Sequence, residues 1–208
     1  MLRIFLFLCL FCLSGSAISA VSPFLSSGIA ATAPSEAGDF RIESIQADFT
    51  QEKHLKMLTK PIISTGKLLF QAPASLRWEY TSPFASILLM HEGKVKRFIE
   101  RDGVFQEETG MQLDAMQVVL TEISSWLDGR FTDNELFAVS FPDDKTVELT
   151  PKEQAFAHLI KRIELKLSGQ KGLLDQVTIT EGPGASTIMR FSNRVLNQAI
   201  PATSFTQR

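Results

Sequence analysis

The most regular alternation of apolar and polar positions in the chain runs over residues 63–90, ISTGKLLFQAPASLRWEYTSPFASILLM. Strict alternation predicts a β-strand with one buried face, whereas a continuous apolar run predicts a strand that is buried on both faces. The segment therefore predicts three strands, at residues 64–71, 76–80 and 86–90, separated by two turns that contain proline. The third of these strands is apolar on both sides.

The second of these strands carries an aromatic stripe. Leu76, Trp78 and Tyr80 share one face, whereas Arg77 and Glu79 share the other. A slip of one residue would exchange Trp78 for Arg77 on the covered face, so we expect the register to be strongly fixed. The sequence leaves open whether the protein's own core or a ligand covers the aromatic face, because the same residue types build a core and a pocket.

Further hairpins are predicted on both sides of this segment. A turn of helix at Ile42 and Ile45 is expected to pass into a strand near Ala47. Glu92-Gly93 and Asp102-Gly103 have the composition of tight hairpin turns. The result is a long antiparallel meander interrupted by one or two helices, which indicates a sandwich or a barrel. Additional strands are predicted at residues 95–99, 146–150, 160–167, 176–181 and 187–191, before an irregular end at residues 193–208.

Residues 110–129 change from the period of a strand to that of a helix. Apolar residues recur there at three- and four-residue spacing, which predicts an amphipathic helix, and Gly129 is suited to its C-cap. Such a helix could cover the open side of a curved sheet. Its apolar positions are Met116, Val119, Leu120, Ile123, Trp126 and Leu127.

The first 20 residues have the layout of a secretory signal peptide, with a basic start, an apolar run at residues 4–13 and small residues after it. The run is shorter than the roughly 20 residues that span a bilayer, although an uncleaved anchor is the alternative. Cys9 and Cys12 both lie in this run, so we expect no disulfide in the protein after cleavage. The signal-peptide layout predicts export to the periplasm, and we expect no lipidation of either cysteine. Residues 21–38 are expected to form a flexible linker and residues 39–208 a single domain.

The composition is that of a folded globular protein, with 44% hydrophobic and 21% charged residues in a chain of 208. A formal net charge of −2 without a basic block argues against a nucleic-acid partner. The histidines, His54, His91 and His158, show no spacing that indicates a metal site. The chain also lacks a G-x-S-x-G elbow and a phosphate-binding loop. We therefore expect neither an enzyme nor a cofactor.

Four short motifs follow one another between residues 47 and 94: ADFTQ, GKLLF, a strand after Pro73 that ends in RWEY, and EGK. Their order and spacing resemble those of the bacterial periplasmic outer-membrane lipoprotein carrier family, LolA. The resemblance covers residues 45–94 well and the later strands more loosely.

This resemblance implies a mainly β fold with helices (α+β): an unclosed, strongly curved antiparallel half-barrel with an α-helical lid over an apolar cavity. It also implies a monomeric carrier for the acyl chains of lipoproteins. The carrier would receive this cargo from an inner-membrane ABC-type complex and deliver it to an outer-membrane receptor. The residues expected to bind lipid are Phe49, Leu68, Phe70, Leu76, Trp78, Tyr80, Ile87, Leu89, Met116, Val119, Leu120, Ile123 and Trp126.

Two departures from the family pattern leave the chemical identity of the cargo undecided. Ala72 stands where members often have an Arg that bonds to the lid, and residues 51–66 look more like a divergent branch linked to lipid or aryl-polyene pathways. The cargo could then be another lipid, a glycolipid or a polyene lipid that passes through a lipid exporter. A lipid-sensing binding module is the alternative from another class, and a hydrolase ranks last because no nucleophile is apparent.

Overall fold

In the computed structural model, residues 41–108, 112–127, 129–131, 134, 136–169 and 173–208 are described. The expected signal peptide and linker lie outside these residues, as does most of the helical turn expected near residues 133–135. For residues 112–119 the backbone alone is described, so the expectations for the side chains of Met116 and Val119 also lie outside.

The described residues form one antiparallel sheet of eleven strands. The strand order is β6-β5-β4-β3-β2-β1-β11-β10-β9-β8-β7, so the first and last strands of the chain meet in the middle and the sheet ends at β6 and β7. The strands are β1 (Ser44–His54), β2 (Ile62–Gln71), β3 (Ser75–Ser82), β4 (Ser86–His91), β5 (Lys94–Arg101), β6 (Val104–Glu108), β7 (Phe137–Asp143), β8 (Thr146–Pro151), β9 (Arg162–Leu167), β10 (Leu174–Gly182) and β11 (Ala185–Leu196).

The three strands predicted within residues 63–90 are confirmed as β2, β3 and β4. The turns predicted between the next strands are confirmed too: Glu92 and Gly93 have φ values of 49° and 71°, and Asp102 and Gly103 have 54° and 79°. Positive φ at both central residues is what a two-residue type I′ hairpin requires.

The helical turn predicted at Ile42 and Ile45 is wrong, because β1 already begins at Ser44. Ile45, Ala47 and Phe49 are buried in alternation with less buried neighbours. This is the two-residue period of a strand with one covered face, and pairing with β2 and β11 on both sides fixes it.

The helix predicted from apolar spacing is confirmed as α1 (Gln112–Leu127). Gly129 has a φ of 85°. The Gly129 N–H donates to Trp126 O at 3.2 Å, and the Arg130 N–H donates to Ser125 O at 2.8 Å. These two bonds and the left-handed glycine are the Schellman motif, so the predicted role of Gly129 at the C-terminus of the helix is confirmed.

Three further elements were not predicted from the sequence. They are β7, the short helix α2 (Gln154–Ala157) and a 3₁₀ helix at Ala202–Phe205. β11 also continues to Leu196, into the part that was expected to be irregular. β7 was not predicted because the second half of this strand is exposed and contains a proline. Its sequence therefore lacks the alternation of apolar and polar residues on which the prediction relied.

The sheet curves around one main core. Met90 of β4, the third strand from one edge, and Phe137 of β7, the strand at the other edge, both belong to the same buried cluster, together with Leu120 of α1. We call the side of the sheet that faces this cluster the inner face. A smaller cluster of Ile87, Leu89 and Phe98 lies on the opposite, outer face.

The C-terminal 3₁₀ helix covers the outer face at β3 and β4. Phe205 is 2% exposed and stacks on His91 with ring centroids 6.2 Å apart. Arg77 Nη1 donates to Gln207 O at 2.6 Å. β4 is apolar on both sides because its inner side faces the main core and its outer side packs in the small cluster with Phe98, beside the C-terminal segment.

Candidate functional site

The centre of the inner face is an aromatic group around a glycine. Phe49 stands opposite Gly66 in the β1–β2 ladder, and Gly66 stands opposite Tyr80 in the β2–β3 ladder. Because Gly66 has no side chain, the Phe49 ring reaches the Tyr80 ring edge-on at 5.1 Å and the Trp78 ring at 5.3 Å. Such tilted and edge-to-face arrangements are favourable for aromatic rings.

From this centre the inner face is apolar toward the starts of β1 and β3. Leu68, Phe70 and Leu76 are completely buried, and Trp78 is 4% exposed. Leu88 stands opposite Trp78, and so belongs to the same face. The structure thus brings six predicted lipid-binding residues onto one surface: Phe49, Leu68, Phe70, Leu76, Trp78 and Tyr80.

The second half of α1 packs on this surface. Leu120 is completely buried, Trp126 is 5% exposed, and Ile123 is partly buried against the same cluster. The Trp126 and Phe137 rings meet at 6.3 Å in an edge-to-face arrangement. Two buried donors of this helix segment, Ser124 Oγ and Trp126 Nε1, have no hydrogen-bond partner among the described residues, and each unsatisfied atom of this kind costs about 1–3 kcal/mol of stability.

Two predicted lipid-binding residues are separated from the others. Ile87 stands opposite Glu79 and Leu89 opposite Arg77, so both side chains lie on the outer face with Phe98. The sequence could not assign them to a face, because every residue of this strand except the last is buried. The inner-face residues of β4 are Leu88 and Met90.

One end of the inner face is polar, and the sequence did not point to it. Gln51 and Lys53 continue the inward alternation of β1 beyond Phe49 and are 5% and 8% exposed. The Tyr80 hydroxyl donates to Gln51 Oε1 at 2.7 Å, and burial raises the pKa of Tyr80 well above its usual value. The period-two pattern from Ile45 to Lys53 was the signal that could have found these residues.

An ion pair completes this end. Lys53 Nζ pairs with the Glu181 carboxylate, and Thr187 Oγ1 donates to Glu181 Oε1 at 3.1 Å. The side chains of Lys53 and Glu181 are 10% and 14% exposed, and burial lowers the pKa of Lys53, opposed by its bond to Glu181. We call Gln51, Lys53, Tyr80, Glu181 and Thr187 together the polar end.

Arg97 is a further charged residue on the inner face, since it stands opposite Leu88 in the β4–β5 ladder. Its side chain is 11% exposed and pairs with Glu108 at 3.0 Å. Ala72, where the family often has an Arg, packs partly buried against the main core, and its N–H donates to Glu43 O at 2.8 Å.

Other kinds of site receive less support. A cavity of about 500 Å³ lies beside β8, β9 and β10, but Lys145, Lys166, Asp175 and Arg190 contribute to its lining, so it is not the expected apolar cavity. Within the described residues, no group of three His, Cys, Asp or Glu side chains could hold a metal ion. No helix among them is both long and apolar enough to span a bilayer.

The fold and this surface define a class of protein: an unclosed antiparallel sheet whose inner face is apolar and packed against one amphipathic helix. Residues 41–208 match the family model for the outer membrane lipoprotein carrier protein LolA, and the chain belongs to this family. The resemblance noted from its motifs is therefore confirmed.

Two curated relatives carry the name outer-membrane lipoprotein carrier protein. The protein from Dechloromonas aromatica is 26% identical over 166 residues, covering 78% of this chain and 76% of the relative. The protein from Chromobacterium violaceum is 26% identical over 165 residues, with the same coverage. Among solved structures, a LolA superfamily protein from Nitrosomonas europaea aligns with a TM-score of 0.44 and 10% identity, covering 79% of this chain and 90% of that one.

Proposed function

We propose that this protein is a periplasmic carrier that binds the acyl chains of lipoproteins on its inner face and moves them from the inner to the outer membrane. The observation that carries the proposal is the continuous apolar surface around Phe49, Trp78 and Leu68, which is covered by a helix and not by a second sheet. Membership of the LolA family and the names of the two relatives support the same role.

Binding requires no chemistry beyond burial. Transfer of an acyl chain from water is favourable by about 0.8 kcal/mol per CH₂ group, so a long chain provides its own driving force. The inner face offers apolar contacts from Ile45 to Phe49 on β1 and from Leu76 to Trp78 on β3. The protein is then a shield that breaks no bond, which agrees with the family's description as a carrier.

Access to this face depends on α1. Leu120, Trp126 and Leu127 are buried against the cluster that the acyl chain would contact, so the helix acts as a lid that moves aside when cargo enters. The unpaired donors of Ser124 and Trp126 make this helix–sheet interface less stable than a fully satisfied one, which favours the exchange. Release follows when the lid closes again or when a receptor at the outer membrane offers a competing apolar cavity.

Leu88 and Leu89 of β4 provide a test of the proposal, because these neighbouring side chains lie on opposite faces of the sheet. Leu88→Ala removes part of the inner face, whereas Leu89→Ala removes the same group from the outer face. Both changes should destabilise the fold by about 2–5 kcal/mol, but Leu88→Ala alone should alter the affinity for a fatty-acyl probe, measured through tryptophan fluorescence. Equal effects on the affinity would contradict an inner binding face.

A second experiment identifies the cargo that is bound to the protein when it is isolated from the periplasm. Mass spectrometry should find acylated polypeptides bound to the native protein. A glycolipid or a polyene lipid in their place would redirect the proposal toward another lipid cargo. Protein that carries no acyl group and does not respond to acyl probes is incompatible with a carrier.

A further inference from the structure

The polar end lies beside one rim of the sheet. β1, β3 and β10 all end at this rim, and β2, β4 and β11 begin there. Among the described residues, five of the seven exposed large hydrophobic side chains lie in its turns or at the adjoining strand ends. They are Met57, Leu58, Ile63, Phe84 and Val104.

The Lys53–Glu181 pair at this end is more buried than the ion pairs of the outer face, where Arg77 and Glu79 are 15% and 28% exposed. Arg162 and Glu148 are 49% and 28% exposed, whereas Lys53 and Glu181 are 10% and 14% exposed. A buried pair recovers little of the cost of removing two charges from water, and apolar residues in the same place are often more stabilising. The pair is therefore better explained by a polar ligand group than by the stability of the fold.

We propose, on the basis of the proposed function, that the polar end holds the neutral ester or amide group through which an acyl chain is attached to its cargo. The acyl chain would extend from there past Phe49 toward Ile45. The six residue steps from Gln51 to Ile45 span about 20 Å of strand, and the inward side chains between these two residues are apolar. The attached cargo would leave through the rim.

The chemistry of the polar end favours a neutral carbonyl. Lys53 is paired with Glu181, and Arg97 is paired with Glu108, so neither cation carries an excess charge that would offset the desolvation of an added carboxylate or phosphate. Gln51 Oε1 accepts a hydrogen bond from the Tyr80 hydroxyl. The Nε2 hydrogens of Gln51 take no part in that bond. An ester or amide oxygen is an acceptor without charge, and so matches such a donor.

The experiment compares three probes of equal chain length on the intact protein: a fatty-acid methyl ester, the corresponding alkyl methyl ether and the free fatty acid. The ester and the ether differ in the carbonyl group, which isolates its contribution. We expect the ester to bind about tenfold more tightly than the ether, the effect of one or two hydrogen bonds. We also expect it to bind more tightly than the fatty-acid anion.

Two double variants change both partners of each contact: Gln51→Leu with Tyr80→Phe removes both polar groups, and Lys53→Met with Glu181→Gln removes both charges but keeps an acceptor for Thr187. Each should retain affinity for the ether and lose the preference for the ester. The matched control is Arg162→Met with Glu148→Gln, a pair on the outer face, which should retain the preference. Circular dichroism verifies that each variant is folded.

Two further probes then show whether the polar end recognises an ester or an amide. They are a synthetic triacylated lipopeptide and a triacylglycerol. Loss of affinity for both probes in the double variants means that the site recognises the ester itself, whereas loss for the lipopeptide alone assigns the amide. An ester preference that is absent from the native protein, or that survives in either double variant, overturns the proposal, as does tighter binding of the free fatty acid. Absence of binding by all probes, the ether included, overturns the carrier function as well.

Discussion

Gly66 lies directly opposite Phe49 in the β1–β2 ladder, and a Cβ atom at position 66 would lie 2.6 Å from Cζ of Phe49 and 2.0 Å from the backbone oxygen of Glu79. Neither distance is compatible with a real Cβ, so a side chain here must displace both the ring and the neighbouring strand. Gly66 therefore makes the aromatic centre of the inner face possible.

We predict that Gly66→Ala destabilises the protein by at least the 1–3 kcal/mol that is typical of overpacking. Chemical denaturation monitored by circular dichroism measures the change. Adding Phe49→Leu should restore only part of the loss, because the contact with the backbone of Glu79 remains. Gly182→Ala is the control, since nothing lies within 4 Å of its Cβ position. A Gly66→Ala protein as stable as this control would refute the packing described here.

The central strands could be predicted from the sequence because alternation and turn chemistry are local. Trp78 had to share a face with Leu76 and Tyr80, whichever strands became their neighbours. The position of β4 was predictable for the same reason, but the faces of Leu88 and Leu89 were not, because both positions are apolar and both are buried, Leu88 in the main core and Leu89 in the small cluster of the outer face.

The polar end shows the opposite case. Lys53 follows the alternation of β1, but its charge indicates an exposed position, and its burial depends on the partner Glu181, which is 128 residues later in the chain. Sequence reasoning that weighs each residue by polarity places Lys53 in solvent. The apolar part of the candidate site was therefore accessible to prediction, whereas its polar part depended on a long-range pairing.

Tyr80 is the only tyrosine of the chain, so its ionisation can be followed without mutation. Burial raises the pKa of its hydroxyl, and the unfolded chain should titrate near pH 10. Between these two pKa values the unfolded state loses the proton and the folded state retains it. The contribution of Tyr80 to stability is therefore present below pH 10 and is lost as the pH rises above it.

We expect phenolate absorbance near 295 nm to remain absent as the native protein passes pH 10, and to appear only together with alkaline unfolding. In denaturant the same signal should develop near pH 10. A native protein that shows a reversible phenolate transition near pH 10, with unchanged circular dichroism, would demonstrate that Tyr80 is open to solvent.

The C-terminal end of α1 gives a prediction about left-handed backbone. Gly129 has a φ of 85° and donates to Trp126 O, and residues with a Cβ reach this region at a cost of about 1–2 kcal/mol. We predict that Gly129→Ala lowers the free energy of unfolding by about this amount, measured by urea denaturation. Gly129→Asn should cost less, because Asn tolerates the left-handed region better. Equal stability of the Gly, Ala and Asn proteins would exclude the Schellman ending.

The final prediction concerns the cover of the outer face. Phe205 is 2% exposed, stacks on His91 and belongs to a segment that Arg77 holds through Gln207 O. Since truncation of a buried Phe usually costs 3–5 kcal/mol, we expect Phe205→Ala to destabilise the protein by roughly this amount. It should also uncover the outer side of β4 around His91, which an increase in the fluorescence of a hydrophobic dye would report.

Gln207→Ala is the matched control for Phe205→Ala. Its side chain is exposed, and its backbone oxygen can still accept from Arg77, so its stability should stay within about 0.5 kcal/mol of the native protein. Because the 3₁₀ helix contacts β3 and β4 on the side away from the inner face, Phe205→Ala should leave acyl affinity unchanged at temperatures where the variant is folded. A loss of acyl affinity in folded Phe205→Ala protein would place the cargo on the outer face and contradict the arrangement of the two faces.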